Sequence, residues 1–292
     1  MTVTTTPDEA IVATNTHYAL PPEIFTLFLD KRMKYSCGLY DENTKTLEEA
    51  QENKLAWIIE KQLKLSRGQR LLDVGCGWGS LTLFAAEKYG IEVVGVTPSA
   101  PQREHILAKA KELGVEHLVD VRLGRFTATD VGPGRFHGAA MLGSIVHMPD
   151  RVKVCEDAAA NLHPKGRLYI SESTFRNARI TAEFASRPGT RYVGEEIFGF
   201  TDMVPLTDLV AAAEDAGLSI VSLTDLSAHY PRTIDEWAQR VRDNREAIDA
   251  ILPGTADRLL PYFEVFTAAF GYTTKHYAFT AEKSRLGTAE VG

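Results

Sequence analysis

"LLDVGCGWGS", residues 71–80, decides the fold. Leu71, Leu72 and Val74 run apolar into three alternate glycines, Gly75, Gly77 and Gly79. "WGSLTLFAAEKYG" (78–90) then carries helical spacing. A strand that turns on glycines straight into a helix is a βα unit. Its turn lets backbone approach a ligand closely, and helix-start N–H groups face that ligand. Asp73, last in the strand, is expected to point its carboxylate into the crevice, toward an amino group or hydroxyl.

The same alternation extends outward. "IEVVGV" (91–96), "HLVDVRL" (117–123), "FHGAAML" (136–142), "GRLYISE" (166–172), "SIVSLTDL" (219–226) and "KHYAFTAEK" (275–283) read as six further strands. Helical patterns separate most of them, including "RVKVCEDAAANL" (151–162) and "LTDLVAAAEDAGL" (206–218). The fold class is therefore α/β: a doubly wound, mostly parallel seven-stranded sheet. Thr46 and Glu49 form a capping box opening a helix with an apolar stripe of Leu55, Ile58, Ile59 and Leu63. Ser99 and Gln102 suggest a second box. After Glu172 the alternation stops for about 30 residues rich in aromatics and arginine. Three parts follow: an N-terminal helical cap (1–64), a core (65–172 and 202–285), and a lid (173–201) inserted over an acceptor pocket.

Composition narrows the class. Thirty-two basic against 39 acidic residues leave a net charge of −7, which disfavours a nucleic-acid surface. Cys37, Cys76 and Cys155 lack metal-ligand spacing, so no metal is expected, and an odd number of cysteines suits the reducing cytoplasm. "MTVTTTPDEA" lacks the basic and apolar regions of a signal peptide, and no apolar run is long enough for a membrane span. The second strand ends in Val96, Thr97 and Pro98, with no acidic residue where a dinucleotide site wants one. That argues against NAD and for a cofactor without phosphates.

"LLDVGCGWGS" together with "VVGVTPSAPQ" (93–102) resembles the class I S-adenosylmethionine-dependent methyltransferases. "MKYSCGLYDENTKTLEEAQENK" (33–54), "EEIFGF" (195–200) and "AHYPRTIDEWAQRVRDN" (228–244) narrow the resemblance to the superfamily of cyclopropane-fatty-acid synthases and mycolic-acid methyltransferases. The likeness spans about Tyr18 to Lys283. It implies S-adenosylmethionine as cofactor, leaving as S-adenosylhomocysteine. It further implies that Tyr35 and Ser36 close over this cofactor and that Gly75, Gly77 and Gly79 line it, beside the Asp73 carboxylate expected from the strand end. Thr97 and Gln102 would meet the ribose side, with Gly124 and Arg125 flanking the adenine.

In the cyclopropane synthases a bicarbonate base is held by a cysteine, a glutamate, a histidine and a tyrosine. By resemblance the cysteine falls on Cys37 and the tyrosine on Tyr230, but the glutamate falls on Val146 and the histidine on Ser171. An apolar Val146 would leave an anion poorly satisfied, so cyclopropanation is not expected. His147, Glu172 and Tyr230 remain as catalytic candidates, with Glu172 the favoured base. Arg176, Arg179, Arg187 and Arg191 in the lid read either as a solvated face or as a site for an anionic head group such as a prenyl diphosphate. The expected activity is methylation of carbon or nitrogen on a small, largely apolar acceptor of specialised metabolism. A lipid-modifying enzyme and a non-methylating cofactor scaffold are the alternatives.

Overall fold

The computed structural model describes residues 20–132 and 134–284. The polar first residues, Tyr18 and residue 285 at the end of the expected core lie outside the described residues. Seven strands form one sheet: β1 (Arg70–Val74), β2 (Glu92–Thr97), β3 (Val119–Leu123), β4 (Phe136–Leu142), β5 (Leu162–Phe175), β6 (Leu218–Asp225) and β7 (Thr274–Lys283). Their order is β3-β2-β1-β4-β5-β7-β6. The first five pair in parallel, and β7 runs antiparallel between β5 and β6. The expected mostly parallel, doubly wound sheet is observed. Chain direction reverses sideways from β1, toward β2 on one side and β4 on the other. In such sheets the crevice beyond the carboxyl ends at that reversal takes the ligand.

The helices are α1 (Pro22–Phe28), α2 (Leu47–Trp57), α3 (Ser80–Phe84), α4 (Ala100–Glu112), α5 (Arg151–Asn161), α6 (Ala178–Phe184), α7 (Pro188–Arg191), α8 (Leu206–Asp215), α9 (Tyr230–Asp243), α10 (Arg245–Ile251) and α11 (Thr255–Phe270). Thr46 caps α2 with the expected reciprocal box: its hydroxyl accepts from the Glu49 N–H, and Glu49 bonds back to the Thr46 N–H. The second box is only half formed. Ser99 accepts from the Gln102 N–H, but the Gln102 side chain turns to Thr97 instead, where Thr97 Oγ1 donates to Oε1 at 2.6 Å. A buried amide finds a stronger partner in a buried hydroxyl than in a helix end that water already serves.

β5 runs to Phe175, three residues beyond the expected strand end, and α6 and α7 follow within the expected lid. The helices between β6 and β7 do not stay with the sheet. Their Trp237, Tyr262 and Phe263 join Phe25 and Phe28 of α1 in one buried aromatic cluster that also reaches Trp78. Phe25 stacks obliquely on Trp78 at 5.2 Å, and Tyr35 meets Trp237 edge-on at 5.0 Å. Chain ends about 200 residues apart thus make a single roof over the carboxyl edge of the sheet. Rings of this size carry much of a core's burial energy.

Thr46→Ala removes one half of the capping box and is expected to lower unfolding free energy by about 1 kcal/mol, the usual worth of such a cap. Chemical denaturation checks it; an unchanged midpoint would mean that packing alone holds α2.

Candidate active site

The floor of the site is the glycine turn. Gly75 has a φ of +72°, and a Cβ on it would lie 2.4 Å from Cβ of Ser144. That approach brings the loop after β4 against the loop after β1, and Ser144 Oγ pins it by donating to the Val74 carbonyl at 2.7 Å. Gly77 also has positive φ, +56°, but a Cβ there meets nothing within 4 Å: it faces open space. The Gly75 and Cys76 N–H groups are tied to the Val96 carbonyl, fixing the turn against β2.

Above this floor lies a cleft of about 310 Å³. Its walls contain Tyr35, Gly75, Gly77, Thr97, Gln102, Gly124 and Arg125 among the expected cofactor residues. Three expected members stand behind the wall. Ser36 is buried and accepts from the Lys54 ammonium. Gly79 starts α3 with its backbone packed on Ile106. Asp73 does not point into the crevice: it is buried beneath the turn, where the Thr82 hydroxyl donates to it at 2.8 Å. Burial raises the Asp73 pKa, and the nearby Lys34 ammonium opposes that rise. Lys34 and Trp78, which sequence reasoning passed over, complete the wall.

A second cavity, about 130 Å³, shares Tyr35, Gly143 and His147 with the first. It holds all three catalytic candidates, His147, Glu172 and Tyr230. Around them stand Phe198, Trp237, Tyr262 and Phe266, with Val146 closing the side. Glu172 is the one carboxylate on its wall among the described residues. Its Oε2 accepts from the Val146 N–H at 3.2 Å and its Oε1 from the Ser173 N–H at 2.9 Å. Burial outweighs these bonds and pushes its pKa up to about 7. His147 Nδ1 lies 2.8 Å from the Phe200 carbonyl, which can only accept. The proton therefore sits on Nδ1 and Nε2 is the basic nitrogen. Burial lowers the His147 pKa, so the ring is neutral at pH 7.

His276 of β7 is the residue that sequence reasoning missed here. It pairs across the sheet with Ser173, meets Ser173 Oγ at 3.2 Å and the Tyr230 ring at 4.8 Å, and lines the cavity. Burial, then the Lys54 charge, lower its pKa to about 3, so it stays neutral. A histidine two residues before the apolar Ala278 and Phe279 of the closing strand was the available signal. The four lid arginines enter neither cavity. All are exposed, and Arg187 lies over the Phe184 ring. The solvated-face reading describes them. No group of His, Cys, Asp and Glu among the described residues could hold a metal.

The residues present fit S-adenosylmethionine. At the end of β2 the cleft offers Thr97 and Gln102, rather than a carboxylate, to the ribose hydroxyls. The Thr97–Gln102 bond leaves the Gln102 amide NH₂ to meet hydroxyls, and Trp78 Nε1 is buried without a partner among the described residues. Fold and site together define a class I S-adenosylmethionine-dependent methyltransferase.

The chain belongs to the mycolic acid cyclopropane synthetase family, whose model matches residues 5–276. It is 30% identical over 280 residues to cyclopropane mycolic acid synthase 3 of Mycobacterium tuberculosis, covering 91% of this chain and 95% of that one. A Pseudomonas putida protein named "Probable fatty acid methyltransferase" is 29% identical over 263 residues, 88% of this chain; the chain spans 64% of that relative's length. The solved cyclopropane synthase MmaA2 from Mycobacterium tuberculosis superposes with a TM-score of 0.85 at 24% identity, covering 97% and 100% of the two chains.

Gly77→Arg is expected to abolish S-adenosylhomocysteine binding in calorimetry while the protein still unfolds cooperatively, because the new side chain enters open space. Its left-handed backbone costs only about 1 kcal/mol. Retained binding would place the nucleoside elsewhere.

Proposed function

We propose that this protein transfers the methyl group of S-adenosylmethionine to an alkene carbon of an apolar, fatty-acyl-like acceptor, and that Glu172 removes the proton that restores a double bond. The sequence alone favours a small specialised metabolite. The relatives are named for fatty and mycolic acids, and the proposal follows them toward the lipid-type alternative.

The observation that carries it is Glu172: a buried carboxylate with a pKa near 7, in a cavity otherwise walled by aromatic and apolar groups. The donor supplies an electrophilic methyl on a sulfonium and leaves as a neutral thioether. The protein's work is positioning and charge control. The acceptor's π pair forms the new C–C bond, leaving positive charge on the adjacent carbon. The faces of Tyr230, Trp237, Tyr262 and Phe266 favour that charge, and Val146 helps exclude the water that would quench it. Glu172 then takes a proton from a neighbouring C–H, whose electron pair becomes the new double bond.

A bound anion as base is disfavoured. The Val146 and Ser173 N–H groups are already given to Glu172, and the Cys37 thiol donates to the Gly38 and Leu226 carbonyls. Burial pushes the Cys37 pKa up to about 12. Bicarbonate should therefore not alter turnover.

A second reading, a compact terpenoid acceptor, is favoured by the modest volume of the second cavity, about 130 Å³. Turnover of short branched alkenes but not of long acyl chains would establish it over the first.

Glu172→Gln is expected to cut turnover by about 10²-fold or more, the scale of general-base catalysis, with donor affinity little changed. His147→Ala should cost less. The wild-type kcat/KM for the donor reports the free enzyme. It should rise through about pH 7, because the base acts deprotonated. Full activity in Glu172→Gln would dismiss the carboxylate as base. With a trideuteromethyl donor, a methylated alkene keeps every deuterium, whereas ring closure to a cyclopropane loses one. Mass spectrometry of the product separates the two.

A further inference from the structure

We propose that Lys34 anchors the carboxylate at the amino-acid end of the methyl donor, and so sets how far the methyl group reaches toward the acceptor cavity. The inference rests on the reading that the donor fills the larger cleft.

Lys34 is in the wall of that cleft and only 8% exposed. Among the described residues its ammonium makes no hydrogen bond or ion pair. The carboxylates that face it are Asp73, Asp30 and Glu172, with Cys76 the other titratable neighbour and Lys54 a like charge nearby. Asp73 is held by Thr82, and Asp30 accepts the backbone N–H groups of Arg32 and Lys34 itself. Glu172 is bonded to the Val146 and Ser173 N–H groups. Each carboxylate thus has its own donors and none reaches the ammonium.

A buried ammonium that leaves its donors unused is costly, and only an anion or several acceptors offset that cost. The cleft can provide the anion. Thr97 ends β2, and Gly124 and Arg125 follow β3, on one side of β1, where the cofactor readings place ribose and adenine. Lys34 lines the same cleft facing Asp73 of β1 and Glu172 of β5, on the other side. An elongated nucleoside laid along those groups brings its amino-acid carboxylate to Lys34. Tyr35, the next residue, is shared by both cavities. An ion pair at Lys34 therefore fixes the donor one residue from the passage its methyl group must enter. A charge-assisted bond of this kind is worth more than a neutral one and is sensitive to small displacements.

Calorimetry with three probes tests this. S-adenosylhomocysteine carries the carboxylate; its decarboxylated analogue and 5′-methylthioadenosine do not. Lys34→Met is expected to weaken S-adenosylhomocysteine about tenfold or more, leave both carboxylate-free probes within about twofold, and remove most of the wild-type preference between them. Lys34→Arg should restore much of the loss. If the methionine variant does not fold, Lys34→Gln gives the same comparison. Equal weakening of all three probes would make Lys34 a structural neutraliser of Asp73, and no weakening would leave it without a part in binding. Failure of the wild type to bind any probe would overturn the cofactor reading itself, a separate result.

Discussion

Everything chemical in this protein depends on how closely the loops after β1 and β4 approach. Gly75 has no room for a Cβ beside Ser144, and the Ser144 hydroxyl closes the gap by bonding to Val74. The same loop is tied on its other side, where the Gly143 N–H donates to the Ser171 carbonyl of β5. Three strand ends are thereby clamped side by side. The clamp puts Gly143 and His147 on the wall shared by two cavities, and Glu172, one residue past Ser171, on the wall of the second. A methyl group can pass between two ligands only if both are held within a fraction of an ångström. A rigid strand edge provides such a frame.

The second constraint is electrostatic. Lys34 and Lys54 are buried ammoniums, Asp73 and Glu172 buried carboxylates, His276 a buried neutral ring and His147 a partly buried one, all gathered over the carboxyl edge of the sheet. Burial disfavours charge on each, so each needs its own compensation. Lys54 finds three oxygen acceptors, on Ser36, Cys37 and Gln51, and Asp73 finds Thr82. Glu172 finds two N–H groups, and they are too few to hold it at an ordinary carboxylate pKa. A base that accepts a proton near neutral pH and is regenerated there follows from that shortfall.

The sheet and the glycine turn were legible in the sequence because they rest on local signals. Short continuous apolar runs, glycines at forced positive φ and a reciprocal cap all declare themselves within about ten residues. Side-chain direction at strand ends was not legible. Asp73 was expected in the crevice, and only the buried Thr82 hydroxyl shows why it lies beneath it. Gln102 was expected to cap its helix and instead meets Thr97. The acceptor wall was the least legible part. Trp237, Tyr262 and Phe266 come from helices inserted before the last strand, and His276 from that strand. Nothing local ties them to residue 172. Tyr262, Phe263, Phe266 and Phe270 line up along α11 at helical spacing, but such spacing cannot say which cavity an aromatic face closes.

In the proposed mechanism, the absence of an anion-binding site and the use of a protein base are two sides of one substitution pattern. An acidic side chain in place of Val146 would put a second carboxylate beside Glu172, and two buried carboxylates side by side cannot both ionise without a cation or a shared proton. With valine there, that residue gives Glu172 a backbone N–H and no second carboxylate, and the cavity keeps a single negative charge among its described walls. One negative charge facing several aromatic faces suits a transient cation and a single proton transfer. It does not suit the capture of a further anion. The apolar loop after β4 thus acts through what it withholds: it leaves Glu172 partly unsatisfied and its surroundings dry, and these two conditions raise a carboxylate pKa into the working range of a base.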